Sequence, residues 1–466
     1  MIKIAFIIDK GFMHSLIEKC KKHLLSEFQC TIDILQWHHE LRKEFPKAKE
    51  YDYVINFTTH TLFKKEYVND NLIQIPFISN LRSGISRELY MSIVNNEDHF
   101  HLNTIKTFAG KQSFQIHEHK YLIIHHSYNR SYQFILNKIP VLLSESIKRF
   151  SNTNQKIWQD NHPKSIPLRR FQYEIWLNKL KHYFKSRFTY HYWKTGLINS
   201  SINEVFKNKQ LLNQVTWFKQ SKKKDFIADP FGFTNPNGSY IIYEKYHATT
   251  KKGHIEVMKI NTQEVVFKLK ANFHFSYPYV FEENNEIYVI PETHQTNSID
   301  LYKWNDEKQN LAFVKTIIED FPGVDNSILK YNNKYWLFCT SSKHKMADHQ
   351  LFIFYADQLT GEWKQHVMNP VVTSIINARP AGSFILIDGK IIRPSQNSGS
   401  TYGGQIMFNE IMELNENKYQ EKVIESISLT DFKDKSIKGI HTISTIGSST
   451  LIDAKFTGFK IGKIYL

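Results

Sequence analysis

Polar and charged residues open successive apolar runs in the second half of the chain. They are Asp229 in ADPFGF, Tyr277 in SYPYVF, Asp325 in VDNS, Arg379 in ARPAG and His441 in GIHTIS. Others close the runs that follow: Glu244, Glu292, Arg393 and Gln396. Carboxylates move protons, and cations face developing negative charge. Gathered in one place, these side chains make a functional pocket. Scattered, an Asp or Ser before a strand is only a turn former. The elements that carry them decide which.

Those elements repeat. The stretch Lys224–Tyr246 holds two apolar runs around an Asn-Pro-Asn-Gly turn at Asn235–Gly238, a strong hairpin signal. The pattern returns at Ser276–Thr293 (turn Asn284-Asn285), Val324–Ser341 (Asn332-Asn333), Ala378–Gln396 (Asp388-Gly389) and Gly439–Phe456 (Gly447). The starts lie roughly 50 to 60 residues apart, near the period of a propeller array. Further strand-like runs fill the gaps, enough for four strands per blade. Blades surround a central channel, so the residues named above converge on one axis. The last blade needs a closing strand, which Gly196–Phe218 or the C-terminal TGFKIGKIYL supplies.

Residues 1–150 alternate strand-like runs (Ile2–Ile8, Thr31–Trp37, Tyr53–Phe57, Ile73–Ile78, Lys120–Ser127) with helical ones. This predicts a Rossmann-like, mostly parallel sheet. One helix spans Met13–Phe28, with Leu16, Cys20, Leu24 and Leu25 on one side. Another begins near Ser86, and Asn129–Phe150 is a helix broken near Pro140. The turn after the first strand lacks G-x-G-x-x-G, so no dinucleotide cofactor is expected. Rim candidates beyond the strand ends are Asp9, Phe57–His60 and His125–Ser127. The predicted organisation is a 1–150 α/β domain, a 151–195 basic aromatic helical linker and a 196–466 five-bladed β-propeller.

The 466 residues carry a net charge of +15, and Lys and Arg crowd the middle among aromatics from Phe171 to Trp193. Three readings stay open: a solvated helix face, attachment to an anionic membrane surface, or binding of an anionic substrate such as a nucleotide sugar. Nucleic acid is not expected, because no recognised motif accompanies the charge. No apolar run reaches 18 residues, so no transmembrane helix is expected. The N-terminus reads as a strand and not a signal peptide. Cys20, Cys30 and Cys339 show neither a disulfide framework nor metal spacing. The adjacent pairs His38-His39 and His125-His126 would point to opposite strand faces. No metal and no cofactor are expected, and the expected location is the cytoplasm, at the inner face of the membrane.

At ADPFGF, SYPYVF, IPET, DNS, TGEW, ARPAG, RPSQ and YGGQI, the chain from about Trp193 to Leu466 resembles the propeller at the start of plant glucosamine inositolphosphorylceramide transferase. Bacterial proteins carry that domain too, often behind a formyltransferase-like α/β domain. HLNTIKTFAG is not a formyltransferase signature, so formyl transfer is not expected. The same motifs are similar to five-bladed glycoside hydrolase propellers. That resemblance implies Asp229 as base or nucleophile, Asp325 as a tuning aspartate and Glu292 as acid, the pieces that glycosidic bond cleavage uses. Sugar transfer can use them as well. Glu244, His274, Tyr277, Arg379, Arg393, Gln396, Tyr402 and His441 then bind substrate, with the cations facing phosphate and the tyrosines stacking on sugar rings.

The resemblance makes the expected function sugar transfer from a nucleotide sugar to a glycan or glycolipid acceptor, in surface polysaccharide or glycolipid biosynthesis. A glycoside hydrolase and a non-catalytic glycan-binding module are the alternatives.

Overall fold

The computed structural model describes residues 1–9, 13–37, 50–58, 72–75, 87–95, 97, 99–107, 113–150, 156–157, 168–219, 225–343, 347–461 and 464–465. Two compact units divide the chain, Met1–Tyr183 and Phe184–Leu466.

In the first unit, seven strands form one sheet: β1 (Ile2–Asp9), β2 (Cys30–Trp37), β3 (Tyr53–Asn56), β4 (Leu72–Gln74), β5 (His99–Thr107), β6 (Ser113–Leu122) and β7 (Lys156–Ile157). Their order is β2-β1-β3-β4-β5-β6-β7. The first four are parallel. From β5 onward every pairing is antiparallel. The sheet is therefore mixed, a correction to the mostly parallel expectation. The physical reason is the short connection from β5 to β6, which allows only antiparallel pairing.

Residues Ile4 to Ile7 of β1 are buried without alternation, as a central strand covered on both faces requires. Against the sheet lie α1 (His14–Glu27), α2 (Arg87–Val94), α3 (Tyr128–Leu136) and α4 (Ile139–Arg149). Leu16, Cys20 and Leu24 of α1 face the core as their spacing predicts, with Ile17 beside them, but Leu25 is exposed. The break near Pro140 is real, and the proline sits in the first turn of α4, where its missing N–H costs nothing. Of the rim candidates, Phe57 packs into the core against Phe6 at 5.1 Å. Thr59, His60, His38 and His39, the start of the second helix at Ser86, and residues 151–155 and 158–167 of the linker lie outside the described residues.

The basic aromatic segment is α5 (Leu168–Phe188). It ends earlier than its composition suggests, because Thr189–Ile198 is a strand of alternating aromatic and polar residues.

The second unit is a five-bladed β-propeller. Four-stranded meanders span Phe226–Leu269, Ser276–Ile318 and Ile385–Ile427, and a five-stranded third blade spans Gly323–Thr373. The fifth blade joins the two ends of the propeller unit. Ser449–Ile461 pairs antiparallel with Thr189–Ile198, from Thr450↔Ile198 to Phe459↔Thr189. The closing strand is thus seven residues longer at its N-terminal end than the expected Gly196 start.

The turns fall where the asparagines and glycines put them. Asn284-Asn285, Asn332-Asn333 and Asp388-Gly389 all take positive φ, between 50° and 75°, the signature of hairpin turns that match the twist of the strands.

One device recurs at the inner end of three blades. The pairing of first and second strand shifts between Ala228 and Phe231, between Ser276 and Tyr279, and between Val324 and Ser327. Asp229, Tyr277 and Asp325 sit in these bulges at φ 49°, 41° and 52°. Left-handed backbone on a non-glycine residue is strained and persists where surroundings hold it. Bulges also re-aim side chains. Here they turn the two aspartates toward the axis.

Candidate active site on the propeller axis

Three blades meet at Asp325. Its carboxylate accepts two hydrogen bonds from Arg379, from Nε at 2.6 Å and from a terminal nitrogen at 3.2 Å. Gln396 Nε2 donates a third at 2.7 Å. The backbone N–H of Asp325 donates to Glu292 Oε2 at 3.2 Å, and the other Glu292 oxygen meets His294 Nδ1 at 2.6 Å. Arg379 also donates to Asp348 at 3.0 Å, and its guanidinium lies 5.2 Å over the ring of Tyr402.

A second group forms where the last blade meets the first. The Asp229 N–H donates to Asp453 Oδ2 at 3.0 Å, and Thr442 Oγ1 donates to Asp229 Oδ1 at 2.8 Å. His441 stands 2.6 Å from Asp453 and 3.6 Å from Asp229. Its ring is stacked on Trp193 at 3.7 Å. The same motif appears twice: an acid on one blade's second strand accepts the N–H of the bulged aspartate on the next blade.

Glu244 joins the acids with His274 at 3.6 Å, while Glu244 Oε1 is buried without a hydrogen bond. Gly253 makes room for it, since a Cβ there would lie 2.2 Å from Glu244 Oε1 and 2.5 Å from the Phe275 carbonyl.

The environments push these acids apart. Burial drives Glu244 well above the usual carboxylate range, and Asp229, Glu292, Asp325 and Asp453 push it further. Burial also acts to raise Glu292, but His294 and Arg379 outweigh it and bring that carboxyl down to about 2. Asp229 is raised, mainly by burial. Burial opposes a charge on His441, yet Asp453 and Asp229 lift its pKa above the ordinary value.

The axis therefore gathers Asp229, Asp325, Glu292, Glu244, His274, Arg379, Gln396, Tyr402 and His441. Two expected substrate contacts lie elsewhere. Arg393 is 1% exposed, bound to Glu421 at 2.8 Å and to the carbonyls of Asn377 and Ala378, so its guanidinium is spent inside the fourth blade. Tyr277 is fully buried. Its ring packs on Phe231, and its hydroxyl accepts from Gly382 N at 2.6 Å, which leaves no face for a sugar. Tyr402, 43% exposed, keeps one.

Sequence reasoning missed Asp453, Thr442, Asp348 and Trp193. Asp453 lies on the second strand of its repeat, as Glu244 and Glu292 do, and that register was the available signal. Ligand atoms of Asp229, His441 and Asp453 also lie within 4.8 Å of one another. Residues more than two hundred positions apart leave no spacing motif to read.

A family model described as glucosamine inositolphosphorylceramide transferase 1, N-terminal, matches residues 209–448, more than half of the chain. The chain belongs to this family. The match covers most of the propeller unit, including every axial residue above except Trp193 and Asp453, and does not bear on residues 1–150. Among relatives bearing the family's name, the rice (Oryza sativa subsp. japonica) glucosamine inositolphosphorylceramide transferase 1 is 29% identical over 206 residues, 42% of this chain and 28% of that protein. The Arabidopsis thaliana protein of the same name is 30% identical over 208 residues, 42% of this chain and 27% of its own length. The chain thus spans less than a third of these plant relatives.

Solved structures similar in part include an exo-β-1,3-galactanase from Clostridium thermocellum, with 12% identity, a TM-score of 0.35, and coverage of 45% of this chain and 53% of that one. A family 117 glycoside hydrolase from Zobellia galactanivorans has 12% identity, a TM-score of 0.35, and coverage of 53% and 88%. Likeness at this level assigns no residue a role.

Proposed function

We propose that this chain takes part in sugar transfer to a glycolipid or glycan, with the propeller axis as the site. The observation that carries the reading is the convergence of Asp229, Glu244, Glu292 and Asp325 inside the segment that matches the transferase family. The donor is an activated, nucleotide-linked sugar.

The chemistry assigns roles by environment. Asp229, pushed up by burial, is the base that takes the acceptor hydroxyl's proton, since a base works best with a pKa near the working pH. Glu244, driven well above the usual carboxylate range by burial and the neighbouring acids, is the acid. This role passes from Glu292, which is held ionised. Glu244 and Glu292 are driven apart, and the raised one of such a pair is the one suited to act as acid. Arg379 fixes Asp325 bidentately, a rigid geometry, and Tyr402 offers a ring face to a sugar.

The reading extends to the membrane and to a cytoplasmic location at its inner face. Tyr173, Trp176, Tyr183, Phe184 and Phe188 of α5 are exposed among Arg169, Arg170, Lys179, Lys181, Lys185 and Arg187. Basic residues with exposed aromatics favour anionic bilayer surfaces.

The test is a transfer assay with the full chain, labelled nucleotide sugars and glycolipid acceptors in phosphatidylserine vesicles. Product should form, and Asp229→Asn should lower its rate by roughly 10²–10⁴-fold. The protein should sediment with these vesicles and not with phosphatidylcholine alone. Free sugar released from oligosaccharides, with no transfer, would show a hydrolase instead.

A further inference from the structure

The first unit holds a cluster that the propeller chemistry does not use. His117 and His119 alternate on β6, so both face α4, where Glu145 points back at them. His117 Nε2 lies 2.7 Å from Glu145 Oε2, His119 Nε2 lies 2.9 Å from the same oxygen, and the two Nε2 atoms lie 2.9 Å from each other. His119 and Glu145 are almost fully buried, and His117 sits at the edge with 9% of its side chain exposed. We propose that His117, His119 and Glu145 are the protein ligands of a divalent first-row transition metal ion.

Protons alone do not satisfy this triangle. Each edge needs its own hydrogen to be a hydrogen bond. If both imidazoles donate to Glu145, their two N–H groups crowd each other across 2.9 Å. If one imidazole donates to the other, the acceptor turns its lone pair away from any proton on Glu145. One cation over the triangle satisfies all three atoms together.

The size also fits. Adjacent ligands of an octahedral ion bonded at ~2.1 Å lie about 3.0 Å apart, and those of tetrahedral zinc about 3.3 Å. The observed 2.7–2.9 Å edges are nearer the octahedral value. Two imidazoles and one carboxylate on one face of an ion leave its remaining positions to water or another ligand.

A partner for the second ring nitrogen is present as well. His119 Nδ1 is hydrogen bonded to the Tyr121 hydroxyl, two residues further on the same strand face. Metal-bound imidazoles are held by such a contact through the other ring nitrogen. The His-x-His spacing on a strand was the available sequence signal, since residues two apart share a face.

The test uses the full chain stripped with chelator and titrated with Zn²⁺ and Co²⁺. We expect one ion per chain at this site, with a visible Co²⁺ spectrum of six-coordinate intensity. His117→Gln changes the most exposed ligand and should fold as wild type by circular dichroism, yet lose at least 100-fold in affinity. Tyr121→Phe should weaken binding roughly 10–100-fold, and Asp229→Asn should leave it unchanged. Failure of the stripped wild type to bind either ion would overturn the proposal. Equal affinity in folded His117→Gln, or loss of binding in Asp229→Asn in its place, would also overturn it.

Discussion

Replacing Arg379 with methionine is expected to destabilise the propeller by about 3–5 kcal/mol, the cost of leaving a buried charge without its partner. Asp325 is 2% exposed and takes two of its three side-chain hydrogen bonds from Arg379. Arg379 also helps hold Glu292 ionised. Methionine keeps much of the volume and removes all the donors. The double variant Arg379→Met/Asp325→Asn should recover part of the loss, because no unpaired charge then remains. Urea unfolding followed by tryptophan fluorescence reads both, since five of the eight tryptophans (Trp193, Trp217, Trp304, Trp336 and Trp363) lie in the propeller unit. A single variant within 0.5 kcal/mol of wild type would show that the pair is not what holds the axis together.

Glu244→Gln and Glu292→Gln are expected to change stability in opposite directions at pH 7. Glu292 has a folded pKa of about 2 against an ordinary value of 4.5. It therefore contributes stability above pH 4.5, lost as pH falls toward 2. At about 1.36 kcal/mol per pH unit, its removal costs roughly 3 kcal/mol at neutral pH. Glu244 is shifted upward. Its folded state holds the proton longer than its unfolded state, so stability declines as pH rises from the ordinary carboxylate value to the folded pKa. Glutamine removes that decline, and Glu244→Gln should be the more stable protein at pH 7. The gain should vanish near pH 4. Unfolding midpoints of both variants from pH 3 to 8 decide the matter, and parallel curves would contradict the choice of Glu244 over Glu292 as the acid.

The hairpins were legible because Asn-Asn and Asp-Gly pairs adopt left-handed backbone cheaply and little else does. The meeting of Asp229, Asp325 and Glu292 was legible for the same reason, since a repeated turn fixes the register of the strands beside it. Tyr277 and Arg393 were misplaced for different reasons. Side chains alternate along a strand, so Arg393, three residues before Gln396, cannot face the axis with it. Tyr277 occupies the same bulge as the aspartates, but its long ring reaches past the rim into the core. Trp193 was hidden because the run of basic and aromatic residues continues unbroken from α5 into the closing strand. The mixed sheet of the first unit was hidden too, since strand runs between helices do not reveal which neighbour each will pair with.

The most direct test of the axial site is the thermal stability of wild type and Asp229→Asn with and without nucleotide sugars. A ligand at about 100 times its dissociation constant adds about 2.7 kcal/mol. A nucleotide sugar should raise the melting temperature of the wild type and leave folded Asp229→Asn unmoved. Equal stabilisation of both proteins, or of neither by any nucleotide sugar, would contradict a donor site on the propeller axis.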